Sequence, residues 1–219
     1  MDTEKKDQKS CIDENSKDKI RKALDHITDE VSIQAFLLPE CKLSEKIKTF
    51  LDELTDITDK IHIDIKMKDE DPGLEAKLEV GLFPFIALID KTGEYTRIGY
   101  HGVPSGYELD AFIAAVTDIA APDLTIAEPL MERINNLKTP MNLKIGISLT
   151  CVRCPELVMS CQQLALLNNG ITAEMLDLNH FPDLAKKFRI MSIPALIIND
   201  DRVKFGGKTL EELVSDLEQ

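Results

Sequence analysis

The strongest constraint on the fold is an internal repeat with a constant spacing of 110 residues. Three pairs of residues share this spacing: Cys41 and Cys151, Ser44 and Cys154, and Pro84 and Pro194. Around these residues, ECKLSE at 40–45 aligns with TCVRCP at 150–155, and GLFPFIALID at 81–90 aligns with MSIPALIIND at 191–200. A duplicated domain places equivalent residues at one offset, so the spacing predicts two copies of one fold.

The order of predicted elements repeats in the same way. Apolar periodicity in the first copy predicts a helix, a strand, a helix, a strand, a short helix, two strands and a final helix. The order starts again after IAAPDL at 119–124, where a proline between apolar elements indicates a linker. The sequence therefore predicts an α/β protein with two tandem folds, each a central mixed sheet flanked by helices.

Three segments follow from this pattern. Residues 1–18 are charged and lack apolar periodicity, so we expect a disordered lead-in that contains Cys11. Residues 19–120 form the first fold, which we expect to be degenerate, and residues 121–219 form the second. A chain of 219 residues is long enough for two domains of roughly 100 residues, each with its own core.

Charge argues against polyanionic partners. The chain has 39 acidic and 26 basic residues, a formal net charge of −13. Such a surface repels nucleic acid and anionic lipid except at a local basic patch, and the sequence shows no such patch. We expect neither a nucleic-acid nor a membrane partner.

The N-terminal residues and the cysteine content predict a cytoplasmic protein. MDTEKKDQKSCIDENSKDK has no apolar core of the kind a signal peptide needs, and no run in the chain approaches a membrane span. The cytoplasm is reducing, so an odd set of cysteines is not expected to form structural disulfides. The cysteines are Cys11, Cys41, Cys151, Cys154 and Cys161.

Cys151 and Cys154 form a C-x-x-C motif between a predicted strand and a predicted helix, the context in which this motif is redox-active. At the helix N-terminus, unpaired N–H groups and the helix dipole stabilise the Cys151 thiolate, and Arg153 adds a positive charge. Cys154 shares a helix face with Leu157 and other apolar residues, so we expect it to be buried. Cys151 is thus the predicted nucleophile and Cys154 the predicted resolving thiol.

The Ile193-Pro194 step immediately before a strand is the second feature of the predicted site. An X-Pro bond at a strand entry has a raised chance of being cis. We expect this loop to lie beside the two sulfurs and to offer backbone groups to an extended substrate chain.

These residues carry a family resemblance. SLTCVRCPELV at 148–158, with the run from LDLNHFPDL through GGKTLEEL at 176–213, resembles the N-terminal double-thioredoxin-fold domain of the flavoprotein component of bacterial alkyl hydroperoxide reductase. It is also similar to the glutaredoxin-like, two-fold protein disulfide oxidoreductases of thermophiles. The resemblance implies that Cys151 and Cys154 carry electrons from a flavin module to a peroxiredoxin, with Pro194 in the substrate loop. In the reductase family an acidic residue of the first fold lies near the redox centre. Gly106-Tyr107-Glu108 is similar to that stretch, so the resemblance implies that Glu108 belongs to the site.

The sequence departs from the family at two places. We expect no flavin or pyridine-nucleotide module after Gln219, and therefore a separate thioredoxin-reductase-like flavoprotein as the electron donor. The first fold keeps one cysteine, Cys41, with Ser44 where a resolving thiol would stand. We interpret Cys41 as a relic of duplication, with a monothiol exchange role left open.

The same residues allow alternative functions. Cys151 and Cys154 would form half of a zinc site, but no second C-x-x-C or histidine pair completes it, so we expect no metal and no cofactor beyond the redox-active disulfide. The favoured function is electron transfer to a peroxiredoxin or another protein disulfide. A general protein disulfide oxidoreductase or isomerase is the second candidate, and an acidic, non-enzymatic binding module is the third.

Overall fold

The computed structural model describes residues 10–120 and 124–218. The first half contains α1 (Glu14–Leu24), β1 (Val31–Leu37), α2 (Lys42–Ile57), β2 (Ile61–Met67), α3 (Pro72–Lys77), β3 (Phe85–Ile89), β4 (Tyr95–His101), a 3₁₀ turn (Gly106–Glu108) and α4 (Leu109–Ala120). The second half contains α5 (Glu128–Asn135), β5 (Met141–Ile147), α6 (Cys154–Leu167), β6 (Ile171–Asp177), α7 (Pro182–Lys187), β7 (Ala195–Ile198), β8 (Arg202–Phe205) and α8 (Leu210–Leu217). The predicted α/β class and repeated element order are confirmed.

The strands of both halves form one eight-stranded sheet with the order β2-β1-β3-β4-β6-β5-β7-β8. Within each half, the first two strands pair in parallel and the remaining neighbours pair antiparallel. β4 pairs in parallel with β6, with Ile98 opposite Ala173 and His101 opposite Leu176. The two predicted sheets are therefore joined edge to edge, which removes the open edge that each would otherwise present.

A shared core forms where α4 and α6 pack against the sheet. The Tyr100 ring contacts Phe112 edge-on, with ring centroids 5.8 Å apart, and Phe112 contacts Phe50 at 5.6 Å. The buried Tyr100 hydroxyl accepts a hydrogen bond from Gln162 Nε2 at 2.9 Å. Because Gln162 lies on α6, this buried hydrogen bond connects the core of the first half to the helix that carries Cys154.

Helix boundaries follow from local capping. Asp13 accepts a hydrogen bond from Ser16 N–H at the start of α1, and Thr209 and Glu212 form a reciprocal capping box at the start of α8. At the start of α6 the residue preceding the helix, Arg153, forms no such side-chain bond. The side chain of Arg153 therefore does not cap the first-turn N–H groups of α6.

The expectation of a disordered lead-in through residue 18 is wrong for residues 10–18. α1 begins at Glu14, and Ile12 is buried in the core. The N–H groups of Cys11 and Ile12 donate hydrogen bonds to the Glu53 carboxylate on α2, at 3.1 and 2.8 Å. This long-range contact orders a segment whose local sequence is charged. Residues 1–9 of the predicted lead-in lie outside the described residues. The predicted boundary between residues 120 and 121 falls at the start of residues 121–123, which also lie outside them.

Within residues 10–120 and 124–218, no helix is both long and apolar enough to span a bilayer.

Candidate functional site

Cys151 and Cys154 are joined by a disulfide, with Cα atoms 5.5 Å apart. Cys154 is the first residue of α6 and is fully buried, whereas Cys151 is half-buried and the intervening Val152 and Arg153 are exposed. The Cys151 N–H donates to the Ser148 carbonyl at 2.9 Å, so the loop after β5 turns directly into the helix. The motif therefore has one accessible cysteine and one covered cysteine, as the assigned roles require.

The position of Cys151 favours a thiolate once the disulfide is reduced. The first-turn N–H groups of a helix lack intrahelical acceptors, and the helix dipole places partial positive charge at this end. Arg153 is exposed beside the motif and has no carboxylate partner among the described residues. The roles of Cys151, Cys154 and Arg153 stay predictions, for which this geometry is suitable.

Pro194 lies beside the disulfide because of the strand pairing. β7 runs antiparallel to β5, with Ala195 opposite Gly146, so the start of β7 meets the end of β5 that leads to Cys151. The Ile193-Pro194 peptide is cis, the geometry that the sequence predicts, and Pro194 is buried. The Pro194 carbonyl accepts a hydrogen bond from Gly206 N–H at 3.0 Å.

Glu108 ends the 3₁₀ turn and is 0% exposed. The turn packs on the β5–α6 loop: a Cβ at Gly106, where φ is +62°, would lie 2.8 Å from the Leu149 carbonyl oxygen. Neither carboxyl oxygen of Glu108 has a hydrogen-bond partner among the described residues. Burial, and then the nearby charge of Asp177, raise the pKa of Glu108 from its ordinary value of 4.5 to about 8. The carboxyl is therefore protonated at neutral pH and can exchange a proton in the range where thiols titrate.

Asp177 is a site residue that the sequence reasoning did not single out. It is the last residue of β6, is buried, and accepts hydrogen bonds from the backbone and side-chain nitrogens of Asn179 at 3.1 and 3.0 Å. Asn179 Nδ2 also donates to Ser148 Oγ at 3.2 Å, which connects the segments that follow β5 and β6 near Cys151. The available signal was an acidic residue at the end of an otherwise apolar strand.

The equivalent site in the first half retains the backbone arrangement with one sulfur. Cys41 precedes α2, and the Phe83-Pro84 peptide is cis. Ser44 is buried and its hydroxyl accepts a hydrogen bond from Leu38 N–H at 2.9 Å. Burial raises the pKa of the Cys41 thiol, but hydrogen bonds from Ser44 and Leu43 outweigh it, so the pKa is lowered overall. Cys41 is unpaired, as the missing second cysteine requires.

The remaining cysteines have no redox partner. Cys161 is buried, and burial raises the pKa of its thiol far above the usual range, consistent with a core residue. Cys11 is half-buried rather than mobile, and burial followed by the Glu53 charge raises its thiol pKa. In the described part of the chain, no three His, Cys, Asp or Glu side chains come together as a metal site would require.

Five exposed apolar side chains lie in the C-x-x-C motif, in the turn that contains Glu108 or in the segments around Pro194, and we call them the apolar rim: Tyr107, Val152, Met191, Ile193 and Phe205. Tyr107 N–H lies 3.4 Å from the Leu149 carbonyl oxygen, which places Tyr107 against the loop before Cys151. Phe205 pairs with Ala195 beside the proline. A Cβ at Gly207 would lie 3.3 Å from the Arg153 carbonyl oxygen, so the segment after Phe205 also contacts the start of α6. Met191 is 92% and Val152 66% exposed, so the rim is open to a partner.

A tandem α/β repeat with a C-x-x-C disulfide at a helix N-terminus defines a thiol–disulfide oxidoreductase of the thioredoxin fold. A family model described as a thioredoxin domain matches residues 141–217, which covers the second half. The crystal structure of the NTD_N/C domain of alkyl hydroperoxide reductase AhpF from Enterococcus faecalis is 31% identical, with a TM-score of 0.89 over 94% of this chain and 99% of that one. The chain belongs to the family of the N-terminal domain of the alkyl hydroperoxide reductase AhpF.

Two less similar proteins share sequence or fold with the chain. The alkyl hydroperoxide reductase AhpF of Staphylococcus aureus is 23% identical over 201 residues, which are 92% of this chain and 36% of that protein. The chain thus spans about a third of the length of the curated relatives it matches. A protein disulfide oxidoreductase from Aeropyrum pernix, 19% identical with a TM-score of 0.84 over 94% of this chain and 92% of that one, shares the fold.

Proposed function

We propose that this protein transfers two electrons from reduced Cys151 and Cys154 to a peroxiredoxin, after receiving them from a thioredoxin-reductase-like flavoprotein. The observation that carries the proposal is the C-x-x-C disulfide at the start of α6, with Cys151 accessible and Cys154 buried. The similarity to the alkyl hydroperoxide reductase AhpF supports the choice of donor and acceptor. A dithiol that must be reduced again after each cycle suits the reducing cytoplasm, the location that we predict.

The reaction is a pair of thiol–disulfide exchanges. The Cys151 thiolate attacks one sulfur of the acceptor disulfide, forms a mixed disulfide, and releases the other acceptor sulfur, which takes up a proton. The Cys154 thiol then loses its proton and attacks Cys151, which releases the second acceptor thiol and leaves Cys151–Cys154 oxidised. Counting the proton that Cys151 releases when its thiolate forms, the acceptor gains two electrons and two protons, and the dithiol loses the same.

Glu108 suits proton transfer during the second exchange. Cys154 is buried, so its proton must leave through a neighbouring group rather than directly to bulk water. The pKa of Glu108 is raised to about 8, which leaves an ionised fraction at mildly alkaline pH that can accept this proton. The carboxyl faces the interior on the turn that packs against the loop before Cys151.

Substrate binding would use the Pro194 loop and the apolar rim. In this interpretation an extended acceptor segment lies along the residues preceding β7, where backbone groups are available, while the rim covers apolar side chains next to the acceptor cysteine. The continuous sheet places the first half beside this surface, and the turn that contains Tyr107 contacts Leu149 in the loop before Cys151.

A reconstituted electron-transfer assay tests the proposal. NADH oxidation is followed with a thioredoxin-reductase-like flavoprotein, this protein, a peroxiredoxin and hydrogen peroxide. We expect turnover that requires all components and is lost in Cys151→Ser. Reduction of insulin by the dithiothreitol-reduced protein without peroxidase turnover would support the general disulfide oxidoreductase instead. Absence of both activities would leave only the binding module.

A further inference from the structure

The repeat allows the charged residue that follows α7 to be compared with the equivalent residue that follows α3 in the first half. Arg189 follows α7 in the left-handed region, with φ of 51°, and its N–H donates to Lys186 O at 3.1 Å. Glu79 follows α3 in the same conformation, with φ of 55°, and its N–H donates to Ala76 O at 3.2 Å. Arg189 and Glu79 are 110 residues apart, so they are equivalent positions with opposite charges.

Both positions hold a residue that the backbone does not favour. A helix that ends in the left-handed conformation usually has glycine there, because other L-residues cost about 1 kcal/mol or more. The charge reversal extends to the flanking residues. Residues 180–193 contain three cationic and one acidic side chain, a net charge of +2, whereas residues 70–83 contain one cationic and four acidic side chains, a net charge of −3. The half with the working dithiol is therefore basic beside its proline loop.

The cations at this position are available to a partner. Arg189 is exposed and has no carboxylate partner among the described residues. Lys186 pairs with Asp183 at 3.3 Å, but both side chains are largely exposed and such a pair is weak. Lys187 has acidic neighbours, because it lines a groove of about 320 Å³ that is also lined by Glu79, Glu174 and Asp200. We therefore assign the cationic surface to Lys186 and Arg189, a small basic patch that the sequence analysis did not detect.

Two residues of the apolar rim lie between this cationic surface and Pro194 in the chain. Pro194 follows Arg189 by five positions, which limits the distance between their Cα atoms to about 18 Å. Met191 and Ile193 lie exposed between them. An extended segment whose cysteine lies beside Pro194 would therefore reach Arg189 within about five residues.

We propose that the acceptor presents an extended segment with apolar residues around its cysteine and a carboxylate within about five residues of it, which contacts Arg189 and Lys186. This inference rests on the proposed function and names the chemistry of its acceptor. The whole chain, with a net charge of −13, would repel an acidic segment. The cationic surface therefore predicts a faster reaction with an acidic segment, whereas the overall charge predicts a slower one. The measured rates show which of the two governs docking.

Single-turnover reduction of three peptides tests the proposal. Each peptide has the same apolar residues around one cysteine, which is joined by a disulfide to 2-mercaptoethanol, and has Glu, Gln or Lys at about the fifth position on either side. The full chain is reduced with dithiothreitol, freed of it, and mixed with each peptide. Electrons pass from Cys151 and Cys154 to the peptide disulfide, which becomes the peptide thiol and 2-mercaptoethanol.

At low ionic strength we expect the Glu peptide to react about tenfold faster than the Lys peptide, with the ratio approaching one near 0.5 M salt. Lys186→Glu combined with Arg189→Glu should reverse the preference. Arg202→Glu combined with Lys138→Glu is the matched control, because it also reverses two charges. Arg202 is exposed at the opposite end of the β7–β8 pair from Pro194, and Lys138 is exposed before the start of β5, at the end of that strand away from Cys151. This control should retain the preference of the wild type.

Equal rates for the three peptides, or a faster Lys peptide, would overturn the docking proposal. A loss of preference in the Arg202→Glu, Lys138→Glu control as large as in the Lys186→Glu, Arg189→Glu variant would overturn it as well, because overall charge would then be responsible. Reduction of neutral hydroxyethyl disulfide separates the two levels of inference. If the reduced wild type fails to reduce it, the proposed function fails. If it does so while showing no charge preference, only the acceptor chemistry is wrong.

Discussion

Glu108→Gln is the substitution whose effect the structure predicts in most detail. The wild-type carboxyl is completely buried, and neither of its oxygens has a hydrogen-bond partner among the described residues. Burial, followed by the charge of Asp177, raises the pKa of Glu108 from 4.5 to about 8. Glutamine has nearly the same shape and does not ionise, so the substitution removes the titration and leaves the packing.

The pH dependence of stability follows from these pKa values. Between pH 4.5 and 8 the folded protein keeps the Glu108 proton while the unfolded chain has lost it, so wild-type stability falls as pH rises through this window. Each pH unit costs about 1.4 kcal/mol, which gives a ceiling of about 5 kcal/mol across the window. Structural relaxation lowers this value, and we expect at least about 2 kcal/mol. Below pH 4.5 and above pH 8 the contribution of Glu108 is constant.

Urea unfolding of the oxidised protein at a series of pH values between about 4 and 9 measures this effect, a range that brackets both ionisations. Glu108→Gln should become more stable than the wild type as pH rises, with the difference reaching its maximum above pH 8. Glu132→Gln is the control, because Glu132 is an exposed acidic residue on α5. Parallel stability profiles for the wild type and Glu108→Gln would refute the raised pKa and remove its proposed role in proton transfer.

Three further substitutions test the site. Cys41→Ser should leave the rate of disulfide reduction within about twofold of the wild type, because a single thiol cannot resolve its own mixed disulfide; a tenfold loss, measured with insulin, would contradict the relic interpretation. Gly106→Ala should destabilise the protein by about 2 kcal/mol in urea unfolding, since φ is +62° and the Leu149 carbonyl is close, whereas Gly81→Ala, with open space around it, should change stability little. Arg153→Ala should slow iodoacetamide alkylation of the reduced protein at pH 7 by about threefold, because it removes a positive charge beside Cys151; an unchanged rate would show that Arg153 does not stabilise the thiolate.

Those parts of the fold that depend on periodic, local signals could be predicted from the sequence. The 110-residue offset and the repeated apolar pattern predicted the element order, because both halves bury the same strand and helix faces. The joining of β4 to β6 could not be predicted, since backbone hydrogen bonds between edge strands carry no side-chain signature. Residues 10–13 are ordered because Cys11 and Ile12 donate hydrogen bonds to Glu53, some forty residues along the chain. The charged local sequence therefore wrongly predicted disorder for this segment.

The candidate site shows the same division. The C-x-x-C motif and the Pro194 loop are visible in the sequence because their chemistry is local. The burial of Glu108 is not, and its selection came from the family resemblance. Asp177 was missed because a single acidic residue at a strand end is also typical of a solvated turn. The basic character of residues 180–193 becomes evident only against residues 70–83, since the chain as a whole is strongly acidic.

Trapping of a mixed disulfide tests the assignment of the two sulfurs most directly. Reduced Cys154→Ser is mixed with a disulfide-bonded protein substrate, and the products are separated by non-reducing electrophoresis and mass spectrometry. The account predicts a stable covalent adduct through Cys151, because the thiol that would release it is absent. Cys151→Ser should form no adduct and reduce no substrate. An adduct through Cys154 in Cys151→Ser, or full turnover by either variant, would contradict the assignment of Cys151 as nucleophile and Cys154 as resolving thiol.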